Sequence, residues 1–322
     1  MTQAGGAVAE LLDRADAYAN GGDAKAAMSF YQAALQGAQT LGSVDATTLD
    51  RLRSAQAFIQ TRAQEFRRAL DASFSNAAPS TADAALRLDH SIAMLKGERQ
   101  IFVQQPSVFY YPYLPQRQFY EREEFDWVAE LESETPAIRE ELLGLVNDGA
   151  DFRPYIENEP DRPHRDFHGL NENRSWTALY LWRNAQMVEA NAKRCPRTVA
   201  ALDKVPLSNI GSQTPSVLFS RLEPGAHIPP HSGMLNCRLI CHLPLIVPNG
   251  CWLRVGNETR EWEEGKLLIF DDSMDHEAKN PSGELRIILL FDIWRPELSR
   301  EERGAISSIF GAIDEFRGAS ES

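Results

Sequence analysis

Cysteine is scarce: only Cys195, Cys237, Cys241 and Cys251 occur in 322 residues, and none forms a CxxC pair. A disulfide framework is therefore not what holds this chain together, and reduced thiols are expected. Basic charge is also short. Lys and Arg number 33 against 46 Asp and Glu, a formal net charge of −13, which argues against a sequence-independent grip on nucleic acid or anionic lipid, since both need clustered cations. No 18 apolar residues run together, and Met1 to Gly6 show neither the basic nor the apolar part of a secretory leader; no membrane partner and a cytoplasmic location are expected. What is present is an ordinary folding composition, 43% hydrophobic and 25% charged, in a length that suits one large domain and a small one.

Residues 7–72 carry apolar residues at helical steps, with Gly21-Gly22-Asp23 separating two helices and a third expected from residue 46 to about 72. The order Ala15, Tyr18, Gly22, Ala26, Tyr31, Ala34 resembles one tetratricopeptide repeat, in which small residues allow close helix packing. A plain helical bundle reads equally well. Residues 73–82 (SFSNAAPSTA) suggest a linker, after which helical spacing returns through Leu86, Leu88, Ile92 and Leu95. The Pro-rich residues 106–115 exclude a regular helix. Helical periodicity is expected again over 123–145, broken at Pro136, and over 191–205, whereas 151–175 reads as a long loop carrying His164 and His168. Their spacing of four would make a metal pair only on a helix, which Pro163 and Gly169 disfavour. Residues 176–182 (WTALYLW) look like a buried strand.

Between residues 216 and 296, short runs rich in Leu, Ile and Val alternate with Pro, Gly and Asn turns, the spacing of an antiparallel barrel or jelly roll. Pro229-Pro230 keeps His227 and His231 off a helix. Along residues 236–243 the period-two pleat puts Asn236, Arg238, Ile240 and His242 on one face, opposite Cys237, Leu239, Cys241 and Leu243. Arg286 interrupts the apolar run LRIILLF, so its burial requires an anion, from a ligand carboxylate or a structural acid, or dense hydrogen bonding. His231 and His276 fall at strand ends 45 residues apart, where neutral imidazoles suit Fe, Zn, Ni or Cu.

At these residues the sequence resembles the aspartyl/asparaginyl β-hydroxylase family of Fe(II)- and 2-oxoglutarate-dependent oxygenases. The matching stretches are EPGAHIPPHSG (223–233), NCRLICHLPLIVP (236–248), GNETREWEEGKLLIFDDSMDHEAKN (256–280) and LRIILLFDIWRPEL (285–298), with LPQRQFY (114–120) and the Trp176 region as weaker parts. The resemblance implies an α+β protein: a double-stranded β-helix (jelly-roll, cupin-like) catalytic domain with buttressing helices over residues 99–322, preceded by a small all-α domain over 1–98.

It further implies that His231 and His276 hold the iron, that Ser220 and Arg286 hold the distal carboxylate of 2-oxoglutarate, and that His242 lies near its metal-bound end. Arg238 and Trp176 fall on the substrate side. Gly233 stands where the usual two-histidine, one-carboxylate site has its acid, an absence shared with the family. Asp272 is the candidate carboxylate that offsets the metal's charge from outside its ligand set, ahead of Asp271 and Asp275, with a structural turn role as the alternative. Ile240 replaces a second arginine of protein-modifying members, which weakens the expected grip on an acidic side chain. The implied activity consumes 2-oxoglutarate and O₂ to hydroxylate an aspartyl/asparaginyl-type or related amino-acid substrate, free or in a peptide, with a protein partner on the N-terminal helices as a further expectation. The rivals are a non-catalytic cupin-like binding protein and a hydroxylase of a lipid acyl chain.

Overall fold

The computed structural model describes residues 3–319 apart from 42, 78, 159–162 and 164–165, so that His164 lies outside the described residues. Two compact units form, Met1–Arg99 and Gln100–Ser322. In the first, α1 (Gln3–Asn20) and α2 (Ala24–Gln39) are joined by Gly22, whose φ of 82° is open to glycine, and by Asp23, whose carboxylate caps the Ala26 N–H at 3.0 Å. α3 (Ala46–Ala77) and α4 (Ala82–Leu95) complete the unit. Small and large side chains interleave in its core: Val8, Leu12, Ala15, Ala27, Tyr31, Ala34, Leu52 and Ala55. Tyr31 also donates to Asp16 at 2.6 Å, and Arg51 pairs with the same carboxylate. The linker expected from residue 73 begins later, because α3 continues through Ala77; Ser75 closes its hydroxyl onto the Asp71 carbonyl and so stays compatible with helix.

The second unit is built on two antiparallel sheets. The larger runs β1 (Phe119–Tyr120), β10 (Leu268–Phe270), β7 (Arg238–Ile246), β12 (Arg286–Trp294), β5 (Val217–Leu222), β3 (Trp176–Arg183), β2 (Arg153–Pro154), with β4 (Gln186–Met187) on β3; the smaller runs β6 (His227–His231), β11 (His276–Lys279), β8 (Trp252–Val255), β9 (Glu258–Glu261). This is the double-stranded β-helix expected from the sequence.

Strand parity decides what each side chain meets. One face of the large sheet sends Phe219, Leu239, Cys241, Leu243, Leu289 and Phe291 against α5 (Val128–Ser133), α6 (Thr135–Asn147) and α8 (Pro196–Leu202), which supply Val128, Leu131, Ile138, Leu142 and Leu202. The other face sends Trp176, Ala178, Leu218, Ile240, Ile288 and Leu290 into the space between the sheets, where Cys251, Leu253, Val255 and Trp262 pack. At roughly 1.5–3 kcal/mol for each large apolar side chain taken from water, the helix-covered face is the main stabiliser. Ser220, Arg238, His242, Arg286 and Asp292 share parity with the second set and are all buried. They are polar exceptions in an otherwise apolar lumen.

Two helical expectations are refined. Residues 122–124 form a single 3₁₀ turn and α5 starts only at Val128, while Pro136 sits in the first turn of α6, where its missing N–H costs nothing. The helix expected over 191–205 is two pieces, α7 (Glu189–Ala192) and α8, separated because Pro196 pushes Cys195 out of the helical region. A last helix, α9 (Arg300–Ala319), follows β12.

One buried ion pair ties the loop between β10 and β11 to the end of β12. Asp271 and Arg295 both have fully buried side chains and meet at 2.7 Å. Asp271 also accepts from Gln104 Nε2 at 2.7 Å and from the Ser273 N–H and hydroxyl; Arg295 donates to the Asn236 and Pro115 carbonyls. Removing one partner of such a pair leaves the other charged and desolvated. Arg295→Met is therefore expected to cost about 3–5 kcal/mol in urea unfolding, and a loss below about 1 kcal/mol would show that Gln104 and Ser273 satisfy Asp271 alone.

Candidate metal and carboxylate site

His231 ends β6 and His276 opens β11, and the two strands pair so that these residues face each other directly, with ring centroids 4.1 Å apart. Each ring is fixed by its own strand: His231 Nδ1 lies 2.8 Å from the Pro229 carbonyl and His276 Nδ1 lies 3.0 Å from the Met274 carbonyl. A carbonyl only accepts, so both Nδ1 atoms carry the proton and both Nε2 atoms keep a lone pair. Burial lowers both pKa values to about 4, His276 adding to the effect on His231, so both rings are neutral at pH 7. Phe167 closes on His231 edge-on at 5.2 Å. Two neutral imidazoles, each oriented by a carbonyl, are the donor set a first-row divalent ion requires. Among the described residues no cluster of three or more His, Cys, Asp or Glu side chains is arranged to hold a metal, so the pair stands alone.

Asp272 approaches this pair from the loop that precedes His276. Its carboxylate accepts from Arg238 Nη2 at 3.1 Å, while Oδ1 is buried and finds no partner among the described residues. Burial raises its pKa, with Arg238 and then His231 opposing. Gly233 donates its N–H to the Asp272 carbonyl at 2.6 Å, and a Cβ on Gly233 would run into the Asp272 carboxylate. The space that an acidic side chain at position 233 would fill is thus taken by a carboxylate supplied from position 272.

A second polar group lies on the large sheet. Arg286 donates from Nη1 to the Ser220 carbonyl at 3.3 Å and more weakly to the hydroxyl at 3.5 Å, with its guanidinium 4.7 Å above the Trp262 ring. Among the described residues it makes no ion pair, its Nε finds no partner, and burial lowers its pKa to about 10. The Ser220 hydroxyl accepts from Trp176 Nε1 at 3.1 Å, leaving its own hydrogen free to donate. His242 packs edge-on to Phe270 at 4.9 Å; burial, then Arg286 and His276, holds its pKa well below the ordinary histidine value. Its Nδ1 is also without a partner, as are Nε and Nη1 of Arg238.

The other titratable residues noted from the sequence fall elsewhere. Asp271 pairs with Arg295, Asp275 with Arg254 at 2.7 Å, and His227 with Glu277 at 2.7 Å. His168, with φ 52°, packs against Phe167. Three lumen residues carried no sequence signal that separated them from core: Tyr155, stacked on Trp176 at 3.9 Å; Trp262, within the turn-bounded WEEG; and Asp292, whose carboxylate holds the Ser208 hydroxyl at 3.0 Å. For Asp292 the parity shared with Arg286 was the available clue.

The double-stranded β-helix is cupin-like, and it buries a carbonyl-oriented histidine pair and an arginine that makes no ion pair among the described residues. The family model for aspartyl/asparaginyl β-hydroxylase matches residues 132–296. The chain belongs to that family. It is 36% identical over 184 residues to the human aspartyl/asparaginyl β-hydroxylase, covering 56% of this chain but 23% of the human protein. It is equally 36% identical over 180 residues to the Rhizobium tropici ornithine lipid ester-linked acyl 2-hydroxylase, 55% of this chain and 60% of that one. The chain thus spans less than a quarter of the human relative and under two thirds of the bacterial one. Among solved structures, a Pseudomonas putida prolyl-4-hydroxylase is similar at 14% identity and TM-score 0.31, over 52% of this chain and 99% of that one.

Gly233→Ala is expected to push Asp272 off Arg238 and lower Co(II) affinity roughly 10–100-fold; an affinity unchanged in an absorption titration would show that Asp272 plays no part at the metal. In the unaltered protein, Co(II) affinity should hold within about threefold from pH 7.5 to 5.5, where two histidines of ordinary pKa would lose roughly a hundredfold to protons. A hundredfold fall over that range would mean that the rings titrate normally.

Proposed function

We propose that this protein is an Fe(II)- and 2-oxoglutarate-dependent dioxygenase that hydroxylates an aspartyl/asparaginyl-type or related amino-acid substrate, with succinate and CO₂ as co-products. The observation that carries this reading is the presence in one lumen of two oriented, neutral imidazoles and an arginine for which the described residues supply no counter-ion. His231 and His276 would hold the iron, which when bound supplies the O₂ chemistry that side chains lack. Arg286 and Ser220 would take the distal carboxylate of 2-oxoglutarate, a bidentate pairing that guanidinium geometry favours. His242, whose charge is influenced by both Arg286 and His276, would lie near the metal-bound end of such a ligand.

Arg238 has two N–H groups left after pairing with Asp272, and these would receive a substrate carboxylate. Trp176, with Tyr155 stacked on it, and Ile240 line the same space with apolar surface. That surface limits water around the reacting centre. Asp272 is placed to hold a water through its free oxygen and to fix Arg238 through the other.

One observation favours a second reading. Ile240 leaves Arg238 as the single arginine on its strand face, and the matched Rhizobium tropici relative carries the name of a lipid acyl hydroxylase, so a fatty acyl chain against Ile240 and Leu290 is the alternative substrate. Assays offering aspartyl peptides, free amino acids and hydroxylatable acyl amides side by side separate the two by which gains one oxygen.

His231→Ala and His276→Ala are each expected to abolish 2-oxoglutarate-dependent succinate formation, and Arg286→Ala to raise the 2-oxoglutarate requirement at least about tenfold, the scale of a lost charged hydrogen bond. Full turnover in either histidine variant would sink the ligand assignment. An unchanged requirement in Arg286→Ala would return that residue to a structural role.

A further inference from the structure

Several side-chain nitrogens at and around Arg286 have no hydrogen-bond partner among the described residues, and one of them has no assigned task. Trp262 follows β9, where its backbone N–H closes onto the Cys251 carbonyl at 3.1 Å. Its side chain packs in the lumen with Leu253, Val255 and Phe270, 6% exposed. Among the described residues the indole Nε1 finds no acceptor. A buried indole N–H normally does, because leaving it unpaired costs on the order of 1–3 kcal/mol. The face of the same ring lies under the Arg286 guanidinium at 4.7 Å, and its centroid is 5.9 Å from the His242 ring. Nε1 of Trp262, Nε of Arg286 and Nδ1 of His242 are thus three unpartnered nitrogens grouped around one aromatic plane. The Ser220 hydroxyl adds a fourth available hydrogen, since its oxygen is already occupied by Trp176.

Arg286 Nε and Trp262 Nε1 can only donate, no acceptor among the described residues meets either of them, and an anion with several lone pairs would satisfy both. A carboxylate does so, and Trp262 is placed to act on it in two ways. The ring face orients the guanidinium by cation–π attraction, and the ring N–H supplies a hydrogen bond.

We propose that Trp262 is a cosubstrate-contacting residue: its Nε1–H donates to the same carboxylate that Arg286 binds, and its ring holds the guanidinium in the orientation that binding requires. This rests on the 2-oxoglutarate reading above. It extends that site to a residue on the loop between β9 and β10, outside the large sheet that carries Ser220, His242 and Arg286.

The test uses the full chain loaded with Zn(II), to prevent turnover, and indole-¹⁵N-labelled tryptophan, of which there are six. Trp262→Phe keeps a ring beneath Arg286 and removes the N–H; it also identifies the Trp262 cross-peak by its loss. On adding 2-oxoglutarate to the unaltered protein, the Trp262 indole proton is expected to move downfield as its hydrogen bond forms. In calorimetric titrations Trp262→Phe is expected to bind 2-oxoglutarate about tenfold more weakly, and glutarate, which lacks the keto acid end, should be weakened by the same factor. Binding by the unaltered protein with an unmoved Trp262 signal overturns the role of Trp262 and leaves the cosubstrate reading standing. No binding of 2-oxoglutarate by the unaltered protein overturns both. Should the variant fail to fold, the shift of the indole signal still decides, because the cross-peak can be assigned from its contacts to Phe270 and Leu253.

Discussion

A guanidinium buried without a counter-ion is the constraint on which the site depends. Taking a cation out of water costs several kcal/mol even after relaxation, and a fold tolerates this only where the charge is compensated by a protein group or by what the protein binds. Among the described residues Arg286 has the Ser220 carbonyl, a weak contact to its hydroxyl and the Trp262 ring, and no acid. The lowered pKa of Arg286 expresses the same deficit. Arg238 is better provided, with Asp272 at one end, but two of its N–H groups also remain unmet. The lumen therefore has an electrostatic demand for anions at two places, on either side of His242.

Arg295 shows what a structural arginine looks like in the same fold. It is as buried as Arg286, yet it meets Asp271, Glu297, the Tyr120 hydroxyl and two carbonyls. Its burial is closed by the protein itself. Both residues belong to the same stretch of chain and differ in whether the described residues already supply their partners. The Arg295 network in turn anchors the loop 271–275, and so sets where Asp272 and His276 arrive.

The histidine pair illustrates a related economy. A carboxylate is needed beside a dication to limit its net charge, and in the usual triad it comes from two residues beyond the first histidine. Here that position is Gly233, and a carboxylate from the loop before the second histidine enters the space left by the missing side chain. Because Asp272 is already paired with Arg238, its negative charge would, in the proposed site, be shared between the metal and the substrate side. A change at either place is thereby felt at the other through one ion pair.

Much of this was legible in the chain. The alternation along residues 236–243 assigned Arg238 and His242 to one face, because side-chain period in a strand is a local property, and Arg286 stood out as a charge within an apolar run. The turn residues between short apolar runs pointed to an antiparallel barrel or jelly roll, which the family resemblance narrowed to a double-stranded β-helix, and Gly22 with Asp23 marked the first helical hairpin for equally local reasons. Helix limits at 73–77, 123–127 and 191–195 were less legible, since they depend on a single proline or a few weak formers acting against packing. What sequence could not decide was pairing between distant segments. That His231 faces His276, that Asp271 belongs to Arg295 while Asp272 belongs to Arg238, and that the N–H of Trp262 is left without an acceptor are consequences of register and loop path. Adjacent residues with the same chemistry, Asp271 and Asp272, acquire opposite tasks only once the tertiary structure has decided which arginine each one meets.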